Sequence, residues 1–219
     1  MPSAWMIGPL IVRSDLVILI GSFIVGILFF GLVSPYSKTV SKRRKDDVGN
    51  LLIVFVVSLW IGKILTNFLM FIKDPISILA YPSDSLAFYI ASVITGIYGK
   101  LKLVKSYQSL VNLLFAWLIV FFTASFMYEF IQIIFGKSAF SWQYLGLLVL
   151  LLMYSILQQN NVSKDKLVTT VLFVWSLGQW LLSLFSYTHI FQFNVSHWFY
   201  SIIFMVNIVL IIFRRKVEQ

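Results

Sequence analysis

The sequence predicts an all-α integral membrane protein, a single bundle of seven transmembrane helices with the N-terminus outside and the C-terminus in the cytoplasm. Three observations lead there. The 219 residues are 60% hydrophobic and only 11% charged, with mean hydropathy +0.93, more apolar surface than a soluble domain of this size can bury. The apolar residues fall in runs of the length that crosses a bilayer, about 20 residues per helix. The basic residues gather in the polar stretches between those runs.

Apolar runs lie at roughly residues 16–34, 51–72, 84–99, 109–135, 142–158, 167–186 and 197–213. Their lengths exclude a β-barrel, which would show ten-residue alternating segments. The first run stops at Pro35, a residue that cannot continue a helix. The second holds Lys63 near its middle. Pro75 and Pro82 bracket the turn to the third, which is short for a span and opens at Asp84, a helix-capping residue after Ser83. Gly136 follows the fourth run as a C-cap candidate. The segment Gln158 to Lys166 is a polar loop before the sixth run. Neither an internal repeat nor an interrupted helix is visible, and no stretch is long enough for a soluble domain. Met1 to Leu10 carries no basic region and no cleavage site of a signal peptide.

Orientation follows from lysine and arginine. Lys38, Lys42, Arg43, Arg44 and Lys45 follow the first run; Lys100, Lys102 and Lys105 follow the third; Lys164 and Lys166 follow the fifth; Arg214, Arg215 and Lys216 form the tail. The other side has only Arg13, Lys73 and Lys137. Positive residues stay in the cytoplasm, which sets the N-terminus outside. The same topology accounts for the net charge of +9, so nucleic acid is not an implied partner. With no cysteine, disulfides, thiolate metal sites and cysteine nucleophiles are excluded. The 7 Trp, 10 Tyr and 21 Phe fit aromatic belts at the headgroup level.

Polar groups inside spans are rare and costly, so each is a site hypothesis. Lys63 and Asn67 are four apart and share a helix face. Tyr128, Glu129 and Gln132 stand together near the outer end of the fourth run, and Glu129 is a candidate partner for Lys63, whose long stem can reach outward. Either these residues line one polar cavity or they fix the bundle through interhelical contacts. Gln179, Ser92 and Thr95 read as structural. His189 and His197 flank the loop before the last run among Phe191, Phe193, Trp198 and Phe199 and read as interfacial residues rather than metal ligands. No catalytic triad order, phosphate loop, metal or cofactor is implied.

Several ordered elements resemble the bacterial prolipoprotein diacylglyceryl transferase family. They are Ile7-Gly8-Pro9-Leu10 before the first span, Val48-Gly49-Asn50-Leu51-Leu52 leading to Gly62-Lys63-Ile64 in the second, Asp74-Pro75 followed by Phe88, and Trp142-Gln143-Tyr144 opening the fifth. The resemblance implies a location in the bacterial plasma membrane. It also implies an outer-face cavity that takes a phosphatidylglycerol-like phospholipid and a lipoprotein. The candidate cavity residues are then Lys63, Asn67, Tyr89, Tyr128, Glu129, Gln132 and Gln143. The family's histidine position in the third span is Tyr89, within Phe88-Tyr89-Ile90-Ala91. Its arginine is missing from Ala124 to Gln132, and its last Arg and Glu are missing from Gly178-Gln179-Trp180-Leu181 to Phe185. Arginine pairs bidentately with phosphate, and a tyrosine of pKa about 10 is a poor general base at neutral pH. The expectation is a catalytically degenerate member that binds a phospholipid, a lipoprotein or another membrane protein. A divergent lipid-modifying transferase and a transporter or permease subunit are the alternatives.

Overall fold

A computed structural model describes residues 4–7, 10–75, 84–135, 142–185 and 188–217. Pro82, Ser83, Gly136 and the Gly8-Pro9 pair lie outside the described residues. The described residues form an all-α structure, apart from two short ribbons. A short antiparallel ribbon, β1 (Ala4–Ile7) and β2 (Leu10–Arg13), leads into α1 (Ser14–Val33). Then come α2 (Lys38–Thr66), α3 (Phe68–Lys73) and α4 (Ser85–Tyr98), which runs on as a π-helical turn, Gly99–Leu103. Next are α5 (Tyr107–Ile134), α6 (Trp142–Gln158) and α7 (Lys164–Phe185). A second ribbon, β3 (His189–Ile190) and β4 (Phe193–Asn194), precedes α8 (His197–Val217).

Each of the seven apolar runs is helical. Five helices are long and apolar enough to cross a membrane: Ser14–Val33, Lys38–Thr66, Ser85–Leu103, Tyr107–Ile134 and Lys164–Phe185. Two more helices are apolar: Trp142–Gln158, which at 17 residues is shorter, and α8 over His197–Val209. The third run reaches spanning length because the π-helical turn adds to α4.

Two boundaries differ from the sequence expectation. The basic stretch from Lys38 is not a loop but the first turns of α2, which at 29 residues is about 43 Å long, against a hydrocarbon core of about 30 Å. Arg44 can therefore be inside the protein: its Nη1 donates to Asp47 Oδ2 at 2.9 Å and its Nη2 to Ser109 Oγ at 3.1 Å. The second run is also interrupted. Asn67 leaves helical geometry at φ −123°, ψ 37°, and its Nδ2 donates to the Lys63 carbonyl at 3.2 Å. The same carbonyl accepts from Asn67 N at 3.0 Å, so the side chain adds a local bond that competes with continuation of the helix. At Asp84 the expected cap is present, with Ala87 N donating to its Oδ1 at 2.8 Å.

Contacts between helix ends define two ends of the bundle. At one, Asp15 of α1 meets Gln132 of α5, and Tyr89 of α4 meets Ser196 before α8. At the other, Tyr36 after α1 meets Asn112 of α5 and Lys164 of α7. The second end carries the lysine-rich stretches. α5 is the central helix: 61% of its apolar window is buried, against 17–33% in the other four long helices. The outward faces are apolar, with Phe185 88% and Leu32 85% exposed.

Close helix packing is set by glycine. A Cβ on Gly26 of α1 would lie 2.6 Å from the Val120 carbonyl oxygen of α5, and one on Gly62 of α2 would lie 2.9 Å from the Ala87 backbone of α4. In lipid, where apolar burial between helices gains little, such backbone approach supplies the packing that holds them. The ribbon between α7 and α8 is not a surface loop: Ile190, Phe191, Phe193 and Val195 are buried. Phe191 wedges its ring against Phe23 of α1 and Phe121 and Tyr128 of α5, at centroid distances of 5.0, 5.7 and 5.6 Å.

Candidate functional site

One face of α5 carries Ser125, Glu129 and Gln132, at helical spacing of four and three, and all are buried. Three other helices converge on it. Tyr144, in the first turn of α6, has Trp175, Ser125 and Gln179 turned toward its hydroxyl and Glu129 close by. Tyr200, in the first turn of α8, faces Thr188, Tyr144, Tyr89 and Glu129. Trp175 and Gln179 sit one turn apart on α7, and Gln179 is fully buried. The cluster lies in the half of the bundle away from the lysine-rich end.

Its polar atoms are mostly unsatisfied. Ser125 Oγ, Glu129 Oε2, Gln132 Oε1, Trp175 Nε1, both polar atoms of Gln179 and the Tyr200 hydroxyl have no hydrogen-bond partner among the described residues. Buried polar groups are ordinarily paired, and leaving one unpaired costs about 1–3 kcal/mol. So many in one place mark a position where a polar molecule completes the network. The set contains donors and acceptors but neither lysine nor arginine. It suits hydroxyl groups better than a phosphate, which calls for a cation.

The candidate residues read from sequence divide between this cluster and other places. Glu129 and Gln132 are in it, and Gln132 Nε2 also donates to Asp15 Oδ1 at 3.1 Å. Tyr128, one position round the helix, packs on the Phe191 wedge. Tyr89 reaches its edge and fastens α4 to α8: its hydroxyl accepts from Ser196 N at 3.0 Å, and its ring stacks on Phe199 at 5.2 Å. Gln143 is exposed, and its neighbour Tyr144 turns inward. Asn67 caps the end of α2 through the bonds above. Lys63 is half-buried on the same helix. Glu129 Oε2 takes no hydrogen bond from any described residue, and the helix that carries Lys63, α2, lies mainly along α4.

Ser125, Tyr144, Trp175 and Tyr200 were not singled out from sequence, and Gln179 was read as structural. Their signal is the spacing of Ser125 with Glu129 and of Trp175 with Gln179, each four apart on an apolar helix. Which side of each helix turns inward is not written in such runs, because lipid-facing and core-facing positions are equally apolar.

No known protein family, no curated protein and no solved structure matches this chain.

Proposed function

We propose that this is a seven-span plasma-membrane protein, N-terminus outside, that binds the headgroup of a phosphatidylglycerol-like lipid, or a lipid-anchored protein, in the cluster around Glu129. On this reading it is a non-catalytic relative of the prolipoprotein diacylglyceryl transferases. The observation that carries it is the convergence of unpaired buried polar atoms from α5, α7 and α8 with no cation among them. Glycerol hydroxyls would donate to Glu129 and Gln179 and accept from Trp175 Nε1. The tyrosine at the family's histidine position supports the non-catalytic side: Tyr89 is engaged with backbone and stacked rings.

The test is native mass spectrometry after purification from membranes of mixed lipid. Wild type should keep phosphatidylglycerol in preference to phosphatidic acid, which is equally anionic but lacks the glycerol headgroup, and Glu129→Gln with Gln179→Leu should abolish the preference. Equal retention of both lipids by wild type and variant would overturn the assignment. In parallel, the protein should not rescue cells depleted of their own diacylglyceryl transferase; rescue would make it an active enzyme.

A second reading, a transporter or permease subunit, draws on the interruption of the second run at Asn67, since broken helices line many transport sites. It predicts solute uptake by proteoliposomes, which a lipid-binding protein would lack.

A further inference from the structure

We propose that a cleft at the lysine-rich end, framed by Gly31, Tyr36, Lys38, Ser41, Lys42 and Lys45, holds the phosphate of an anionic phospholipid from the adjoining leaflet. This site is separate from the cluster around Glu129, lies at the opposite end of the bundle, and stands or falls independently of it.

The cleft is open on one side and offers about 300 Å³, room for a phosphate and its ester oxygens. Lys38, Ser41, Lys42 and Lys45 follow one another at spacings of three, one and three, so they share one face of α2. That face looks across to Gly31, in the last turn of α1. A Cβ on Gly31 would sit 3.3 Å from Lys45 Nζ, so the absence of a side chain there lets the ammonium lie against α1. Ser34 and Tyr36 close the side between the two helices.

Three features argue for an anion rather than a solvated charge run. None of the three lysines has a carboxylate partner within salt-bridge distance among the described residues; the neighbouring Asp47 is committed to Arg44. Ser41 is 7% exposed and lines the cleft, so a hydroxyl sits among the ammonium groups. A fourth cation, Lys164, lies over the outer face of the Tyr36 ring at 3.9 Å. Burial raises the Tyr36 hydroxyl above its ordinary range, and Arg44 pulls it partly back. It therefore stays protonated and donates to Asn112 Oδ1 at 3.0 Å, which holds the wall of the cleft in place.

The lipid source rests on the surroundings. Leu28 and Leu32, on α1 beside Gly31 in sequence, are exposed, where acyl chains would run. A soluble phosphate compound has no use for them.

The experiment measures binding of a tail-labelled phosphatidic acid, which lacks the glycerol headgroup proposed for the Glu129 cluster, to the full-length protein in neutral detergent, by fluorescence anisotropy, with inorganic phosphate as competitor. A charge-assisted hydrogen bond to a phosphate is worth roughly tenfold or more, so Lys42→Ala with Lys45→Ala should weaken binding at least tenfold. Gly31→Leu should weaken it at least tenfold without changing charge, because it fills the cleft. Arg43→Ala, on the same turn but outside the cleft, should change it less than twofold. Lys45→Gln serves as the single-site variant if the double variant does not fold. Equal losses for Arg43→Ala and Lys42→Ala, with none for Gly31→Leu, would reduce the site to general surface charge and overturn the proposal. Binding of inorganic phosphate in place of the lipid, with full displacement at equal concentration, would overturn the lipid source.

Discussion

Phe191 occupies a backbone position that ordinary side chains avoid. Its φ is 55°, in the left-handed region that costs a residue with a Cβ about 1–2 kcal/mol. Glycine would relieve that cost. The ring opposes it: removing a buried phenylalanine costs about 3–5 kcal/mol, and this one touches Phe23, Phe121 and Tyr128. Packing outweighs backbone strain by these magnitudes. Phe191→Gly should therefore destabilise the protein by about 2 kcal/mol in detergent unfolding; a gain in stability would show that the backbone term dominates. At this scale the sequence was least legible. It placed Phe191 and Phe193 at a membrane interface, and nothing in a run of aromatics says that the loop folds inward. Likewise Gln143 and Tyr144 are adjacent, and only the helix phase reveals that the tyrosine is the buried one.

Among the helices, glycine positions decide which elements meet. Gly62 was legible as part of a short motif, but its partner was not: it lets α2 approach the Ala87 backbone of α4 to a distance that leaves no room for a methyl group. Gly62→Leu should separate the two helices and cost about 1–3 kcal/mol, the range for overpacking a fitted interface. The contrasting change is Gly96→Leu on α4, where an added Cβ meets nothing within 4 Å. It should be near neutral in the same unfolding measurement, and equal losses for both would contradict the close-approach argument. Helix existence was readable from run length, and the start of α4 from Asp84. The ends of α2 were not. A lysine-rich turn and an apolar turn can both be helical when packed, as Arg44 is by Asp47 and Ser109, and a single Asn67 ends a helix that its apolar neighbours would continue.

For the whole molecule, the seven helical runs and the gathering of lysines at one end were both evident before any coordinates. The sidedness they imply can be measured directly because the chain has no cysteine. Single cysteines at Lys42 and at Asn194, both exposed positions, should react with an impermeant thiol reagent from opposite sides. In intact cells only the Asn194 site should label. Labelling of both would refute the seven-span arrangement, and labelling of Lys42 alone would invert it. The position of the site was less legible, because its members come from four helices and convergence is a property of packing.

The wedge formed by the ribbon before α8 also constrains how the protein is made. Helices leave the translocation machinery in chain order, so α1 and α5 enter the bilayer well before Phe191 is synthesised. Until then, the slot between Phe23 and Phe121 faces acyl chains, which tolerate it as water would not. The arrival of the ribbon between α7 and α8 fills that slot with the Phe191 ring, the last piece set against the first helix.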